Sequence, residues 1–320
     1  CPVTMRASLL AASDPSAVGI ACRALRRGDL VGIPTETVYG LAGDASNPEA
    51  VARIFAAKDR PSFNPLISHI ASLEDARREA HLDERAMTLA EAFWPGPLTI
   101  VAPVADSART AELSRAGLDT IGLRMPKHPL TQALLAEFGG PIAAPSANQS
   151  GRLSPTRARD VASELGDVVS VILDGGDCPA GIESTIVSVL PGEPVRLLRP
   201  GATDRVSIEA LAGPLREAKP ETITAPGQLS SHYAPRAGIR MNAENARAGE
   251  ALLGFGPAAP AAAANLSVSG DTIEAAANLY RMLRELDASG VETIAVMPVP
   301  ERGLGEAIHD RLRRAAAPRN

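Results

Sequence analysis

The sequence predicts an α/β fold, and two features of its patterning carry that prediction. Short apolar runs of strand length alternate with segments whose apolar residues recur at helical spacing. The short runs also end repeatedly in Ser, Thr, Arg or Gly, as strands do when several deliver side chains to one shared cleft. A third feature sets the organisation. Residues 214–238 read as a linker or lid, and a second, smaller alternation of strand and helix follows. The expected division is 1–213, 214–238 and 239–320.

In chain order, Asp14-Pro15 predicts a helix start, with a stop near Gly28. Residues 30–33 form a short buried strand running into Pro34-Thr35-Glu36-Thr37-Val38-Tyr39-Gly40-Leu41, a loop dense in hydroxyls. Its Thr and Glu side chains either orient a polar substrate or satisfy local backbone groups, and the second reading is favoured for this stretch in isolation. Residues 47–58 read as a helix, with Pro48 in its first turn and Val51, Ile54, Phe55 and Lys58 on one face. Pro61 and Pro65 prevent its continuation, so Lys58 and Arg60 stand where one element ends and the next begins. A point charge beside a planar fork suits a polyphosphate; a solvated basic turn is the alternative. An apolar segment, 66–70, comes next.

Residues 72–80 and 83–93 are two expected helices, broken by Trp94-Pro95-Gly96-Pro97, with Trp94 as a packing anchor. Strands are expected at 98–101 and 119–123, the second delivering Arg124. An arginine at a strand end can hold a carboxylate through two bonds, unless it is an ordinary surface arginine. A helix over 128–138 closes at Gly139-Gly140. The loop from Pro145-Ser146-Ala147-Asn148 to Ser154-Pro155-Thr156 is built of small residues that let a ligand approach the backbone. Ser154 before Pro155 predicts an N-cap, which aims the positive end of the next helix at this loop and favours phosphate; a plain capped loop is the alternative. Strands follow at 168–173, 183–189 and 195–198. Beyond the linker, strands at 251–255 and 291–296 and helices at 271–289 and 304–315 make the small unit, with 256–264 a loose loop and no internal repeat.

Composition narrows the function. Of 320 residues, 45% are apolar and 22% charged, enough for a sizeable core. Aromatics are 3%, too few for a base-stacking single-strand binder. A net charge of −5 argues against a large nucleic-acid footprint. Cys1, Cys22 and Cys178 fit neither a disulfide framework nor a zinc site, which implies a reducing, cytoplasmic setting. No transmembrane-length run or signal peptide is visible, and Cys1 ahead of Met5 reads as a numbering artefact rather than a lipid anchor. Phosphate-loop, zinc-protease and serine-hydrolase motifs are all absent, and the five histidines are scattered. A nucleotide enzyme of this sequence uses an uncommon site.

The ordered set Pro34 to Leu41, Lys58-Asp59-Arg60-Pro61, Asn64-Pro65-Leu66, Arg124-Met125-Pro126, Pro145-Ser146-Ala147-Asn148, Ser154-Pro155-Thr156, Glu183-Ser184-Thr185-Ile186-Val187 and Leu198-Arg199-Pro200-Gly201 resembles the YrdC-type threonylcarbamoyl-adenylate synthases. Pro226-Gly227, His232-Tyr233-Ala234-Pro235 and Asp310-Arg311-Leu312 resemble the long, two-domain form. The resemblance implies a twisted mixed sheet with flanking helices around a concave cleft, followed by a small Rossmann-like domain. It implies that L-threonine, bicarbonate and ATP, with Mg²⁺, give threonylcarbamoyl-AMP and pyrophosphate. A downstream transferase complex would use the adenylate to modify tRNA beside the anticodon, and a weak tRNA contact stays open.

Carried over residue by residue, Thr35, Arg124 and Ser184 would hold threonine, with His69 and the Ala144 backbone in the same pocket. Lys58, Arg60 and Ser62 would grip the ATP phosphates, Lys58 and Arg60 as the catalytic cations. Thr120, Ser146, Asn148, Ser154 and Arg199 would complete the nucleotide site, and Tyr233 would close the linker over it. The metal ligands are left open. Three rivals remain: an RNA-binding module, a carbamoyl transferase of the hydrogenase-maturation type, and an inactive interaction protein.

Overall fold

The computed structural model describes residues 7–218, 224–227, 232–259 and 262–318. The expectations about Cys1 and Met5, and the linker reading over 219–223 and 228–231, lie outside the described residues. In chain order the elements are β1 (Ser8–Ala11), α1 (Ala17–Arg26), β2 (Val31–Ile33), β3 (Gly40–Asp44), α2 (Pro48–Lys58), β4 (Ile67–His69), α3 (Leu73–Glu79), α4 (Glu84–Phe93), β5 (Leu98–Pro103), β6 (Thr120–Arg124), α5 (Pro129–Phe138), β7 (Ile142–Ala143), α6 (Ala158–Leu165), β8 (Val171–Asp174), β9 (Thr185–Ser188), β10 (Arg196–Arg199), α7 (Arg205–Ala212) and β11 (Arg216–Glu217). The small unit adds β12 (Gly238–Arg240), β13 (Glu250–Gly254), β14 (Ala264–Asn265), α8 (Thr272–Ala288), β15 (Thr293–Val296) and α9 (Gly305–Ala316).

Strands β1 to β11 form one mixed sheet in the order β1-β8-β2-β3-β7-β4-β6-β5-β9-β10-β11. Parallel pairs such as β4 with β6 and β5 with β9 alternate with antiparallel pairs such as β5 with β6 and β9 with β10. Several apolar clusters cover it. Helix α2 buries Val51, Ile54 and Phe55 with Leu41 and Val161. Helices α1 and α5 pack Leu25, Leu134 and Leu135 on Val31 and Ile33. Trp94, Leu89 and Ile208 close over Ile100 and Leu123. The second sheet is all parallel, β12-β15-β13-β14, with α8 and α9 packed against it.

Local chemistry explains most boundaries. Asn47 caps α2 by accepting from the Glu49 and Ala50 amides, and Asp59 ends it at φ 49°. Ser72 and Asp83 cap α3 and α4. Four expectations need correction. Asp14 does not open α1: its carboxylate takes the Ser16 amide and hydroxyl, and the helix starts at Ala17. Ser154 is no N-cap. Helix α6 starts at Ala158, and the Ser154 hydroxyl donates to Glu183, a stronger acceptor, while the Pro155 and Thr156 carbonyls take the Tyr39 and Cys178 amides and keep the segment extended. The end of the hydroxyl-rich loop is the strand β3; Gly43 there lies so close to α2 that a Cβ would sit 3.0 Å from Ile54. The linker is not structureless throughout, since β11 pairs with β10.

Candidate active site

The strand registers bring the candidate residues together. His69 on β4 lies opposite Arg124 on β6 and Ile142 on β7. The start of β9 runs beside the start of β5, and the end of β10 returns to Ile186. The cleft they share is lined by Thr37, Arg60, His69, Arg124, Ala144, Ser146, Glu183, Ser184, Arg199, Pro226, Gly227, His232 and Tyr233, among others. Larger hollows of about 400 and 450 Å³ lie by Asp29 and Arg53 and by Arg152 and Arg284. Those hollows lack the converging buried cations found here.

Each cation is braced. Arg124 is 4% exposed; its guanidinium donates to Glu36 Oε1 at 2.8 Å and to the Gly96 carbonyl at 3.3 Å. The other Glu36 oxygen accepts from the Lys127 amide. Burial alone would raise the Glu36 carboxyl, but Arg124 outweighs it and holds the group below the usual carboxylate range. Arg199 donates Nε and Nη2 to the Ser184 carbonyl at 3.2 and 2.8 Å, and Nη2 to the Ser184 hydroxyl at 3.2 Å. The Ser184 hydroxyl meets that of Thr99 at 2.8 Å. Arg60 donates to the Asn64 carbonyl and side chain and to the Pro65 carbonyl; burial lowers it to about 10. Burial and the like charge of Arg60 push Lys58 well below the normal lysine range.

Eight of the expected residues line the cleft: Arg60, His69, Arg124, Ala144, Ser146, Ser184, Arg199 and Tyr233. The rest stand elsewhere. Lys58 lies one layer behind, donating to the Ser146 carbonyl at 2.6 Å and to that of Asn148, so it pins the 145–150 loop. The Thr35 hydroxyl donates to the Val38 carbonyl at 2.6 Å and accepts from the Thr37 and Val38 amides, closing the turn on itself. Asn148 is buried, and its amide donates to the Gln149 and Arg152 carbonyls. Ser154 faces Glu183. Ser62 is exposed, and Thr120 opens β6 opposite Pro103, at the far end of the strand from Arg124.

Glu183, Thr37 and Gly227 were not singled out from sequence as cleft residues. Burial would raise the Glu183 carboxyl, yet Arg311 and Arg199 hold it at about 2. The mouth is filled by the linker. Tyr233 sits at φ 60° against His232, whose ring is 4.1 Å away and edge-on. Gly227 has φ +83°, and a Cβ there would fall 2.6 Å from the Tyr233 hydroxyl. In this arrangement the cavity measures about 50 Å³. His69 and His232 are pushed down to about 3, chiefly by burial, so both are neutral at pH 7. The site offers converging guanidinium groups, hydroxyls and two compensated carboxylates. Cys178 does not line it, and burial raises that thiol. Such an arrangement presents positive charge and hydrogen-bond donors to an anion.

Comparison with known proteins shows the family. A family model described as Telomere recombination, that of Sua5, YciO and YrdC, matches residues 23–201. The C-terminal domain model of threonylcarbamoyl-AMP synthase matches 202–317. Threonylcarbamoyl-AMP synthase of Pyrococcus abyssi is 40% identical, over 93% of this chain and 94% of that protein. That of Bacillus subtilis is also 40% identical, over 97% and 95%. The crystal structure of P. abyssi Sua5 complexed with L-threonine superposes with a TM-score of 0.88 and 37% identity, covering 97% of both chains. The chain belongs to the Sua5/YrdC family of threonylcarbamoyl-AMP synthases, in its two-domain form.

Proposed function

We propose that this chain makes L-threonylcarbamoyladenylate and pyrophosphate from L-threonine, bicarbonate and ATP. The observation that carries the reading is the cleft itself: Arg60, Arg124 and Arg199 converge with Ser184, whose hydroxyl is held by Thr99 and Arg199. Bicarbonate takes up a proton and loses water to give CO₂; the threonine amine then adds to the CO₂ carbon, giving a carbamate and releasing a proton. A carbamate oxygen then attacks the α-phosphorus, and the α–β bond breaks to release pyrophosphate. Neither step needs a covalent enzyme intermediate, so the chain supplies position and charge.

In this proposal Arg124, already aligned by Glu36, takes the threonine carboxylate, with Ser184, His69, the Ala144 backbone and the Thr35 turn shaping the pocket. Arg60 meets the phosphates. Lys58 acts through the carbonyls it holds, and Ser146 and Arg199 face the nucleotide. Tyr233 seals the mouth, with Ser62, Thr120, Asn148 and Ser154 assigned to the ATP side. A cavity of about 50 Å³ is far below the ~300–1,000 Å³ of a small-molecule site, so Pro226, Gly227, His232 and Tyr233, in the span 214–238 proposed as a lid between units 1–213 and 239–320, are proposed to move aside for entry and return to keep water from the labile carbamate. The donor set does not suit a resident metal. Both Glu183 oxygens and both Glu36 oxygens are engaged, and among the described residues no acidic or histidine cluster could hold an ion. Mg²⁺ is therefore assigned to the triphosphate and enters as MgATP. The product is proposed to pass, in the cytoplasm, to a tRNA-modifying transferase.

Pyrophosphate release from MgATP, with threonine and bicarbonate each omitted in turn, tests the reading. Release that needs both supports it. Release with neither indicates a plain ATPase, and no release with tight RNA binding turns the assignment toward an RNA-binding module.

A further inference from the structure

We infer that Arg311 and Tyr280, both carried by the C-terminal unit, are positioning residues for the cleft: they hold and neutralise Glu183, so the site is complete only with that unit in place. The inference rests on the adenylate-forming reading above and adds a role for residues more than ninety positions away in the chain.

Glu183 lines the cleft and precedes Ser184, the residue gripped by Arg199. Three donors reach its carboxylate. The Ser154 hydroxyl bonds Oε1; the Tyr280 hydroxyl lies 2.9 Å from Oε2; Arg311 Nε lies 2.8 Å from Oε2. Arg311 is 1% exposed and spends Nη1 on the Pro200 carbonyl and on Asp310, each at 2.8 Å. Its guanidinium stands 5.0 Å over the ring of Tyr233, the side chain that fills the mouth. The apolar core of the small unit is continuous with this region, taking in Val38, Leu153, Ile182 and Tyr233.

A buried ion pair is a poor way merely to tie two units together, because desolvation offsets most of its attraction. A half-exposed pair such as Arg205–Glu306 ties them without that cost. What the buried pair does distinctively is cancel a carboxylate inside a cleft that must accept a triphosphate and an amino-acid carboxylate. Without Arg311, Glu183 repels the nucleotide and competes for Arg199. The charged and titratable groups facing Glu183 are Arg311 of α9, itself also paired with Asp310, Tyr280 of α8, Arg199 of β10, Lys58 of α2, and His232 and Tyr233 of the linker.

The test uses the full chain with Arg311→Met, Tyr280→Phe, Glu183→Gln and the Arg311→Met/Glu183→Gln pair, reading pyrophosphate release from pH 6 to 9. Arg311→Met is expected to raise KM for ATP on the order of tenfold at pH 8, with a smaller fall in kcat. That excess shrinks toward pH 6, where an unpartnered buried Glu183 takes up a proton. It is largely abolished by adding Glu183→Gln. Tyr280→Phe raises KM by about two- to fivefold, the scale of one hydrogen bond. An unchanged KM in both single variants overturns the inference, as does a double variant no better than Arg311→Met. If Arg311→Met does not fold, the KM of Tyr280→Phe decides alone. Should the wild-type chain show no threonine-dependent release, the adenylate reading fails by itself. The same substitutions compared in unfolding midpoints still test the pairing without turnover, and absence of coupling between Arg311 and Glu183 overturns it.

Discussion

Lys58 shows how a side chain can serve a cleft it does not line. Its ammonium is buried between two loop carbonyls and held against a desolvation cost that lowers its pKa. Lys58→Ala removes a charge and frees the loop that presents Ser146. The expected loss in turnover is on the order of 10²–10³, the scale of removing one charge-stabilising donor. Wild-type turnover in pyrophosphate release would refute it. The histidines make a separate prediction. A base whose folded pKa lies below its unfolded value contributes stability that is complete above the unfolded value and is lost as pH falls toward the folded one. For His69 and His232 that window runs from 6.5 down to about 3. Glu183, depressed from 4.5 to about 2, loses its contribution further toward acid. The unfolding midpoint is therefore expected to drop steadily from pH 7 to pH 4.5, and a flat profile in thermal melts would contradict the burial of these rings. Arg124 and Arg199 were legible in the sequence because each ends an apolar run, and Ser184 because it stands just before one. Ser154 was misread as a cap because Ser-Pro is a common helix opening, and nothing local announces a buried carboxylate 29 residues away.

Among the elements, the strands rich in branched residues, such as β5 and β9, were readable, whereas β3 was hidden by Gly40 and Gly43. Those glycines erase the alternating pattern because there is little room for a side chain: a Cβ would meet Ile54 of α2 at Gly43, and Ala144 and Ile33 at Gly40. The linker carries the sharpest element-scale prediction. At Gly227 a methyl group meets both the Tyr233 hydroxyl and, at 2.8 Å, Arg199, on a backbone with positive φ. Gly227→Ala should lower the unfolding midpoint modestly, through the strained backbone, and lower the yield of threonylcarbamoyl-AMP per ATP consumed by about tenfold, because the mouth no longer seals. Chromatography of adenylate against AMP measures this, and an unaltered yield would remove the linker from the mechanism.

For the whole molecule, the two units are joined by contacts of very different worth. Arg205→Ala breaks a partly exposed pair with Glu306 and should cost no more than about 1 kcal/mol. Arg311→Met strands a buried carboxylate and should cost about 3–5 kcal/mol. Denaturant melts of the two variants check the ratio, and similar losses would mean that burial is not what distinguishes them. The two-unit arrangement was foreseeable from the composition of the spacer and the second strand–helix alternation. The bond between Arg311 and Glu183 was not, because it spans 128 residues and exists only after both units have docked.

That span also sets an order of events during synthesis. Chains fold from the N-terminus as they emerge, and every strand of the large sheet leaves the ribosome before α9 does. Until α9 arrives, Glu183 lacks its neutralising arginine and Tyr233 lacks the cation above its ring. If Arg311 positions the cleft as inferred, the nascent large sheet of this chain adenylates poorly until α9 docks.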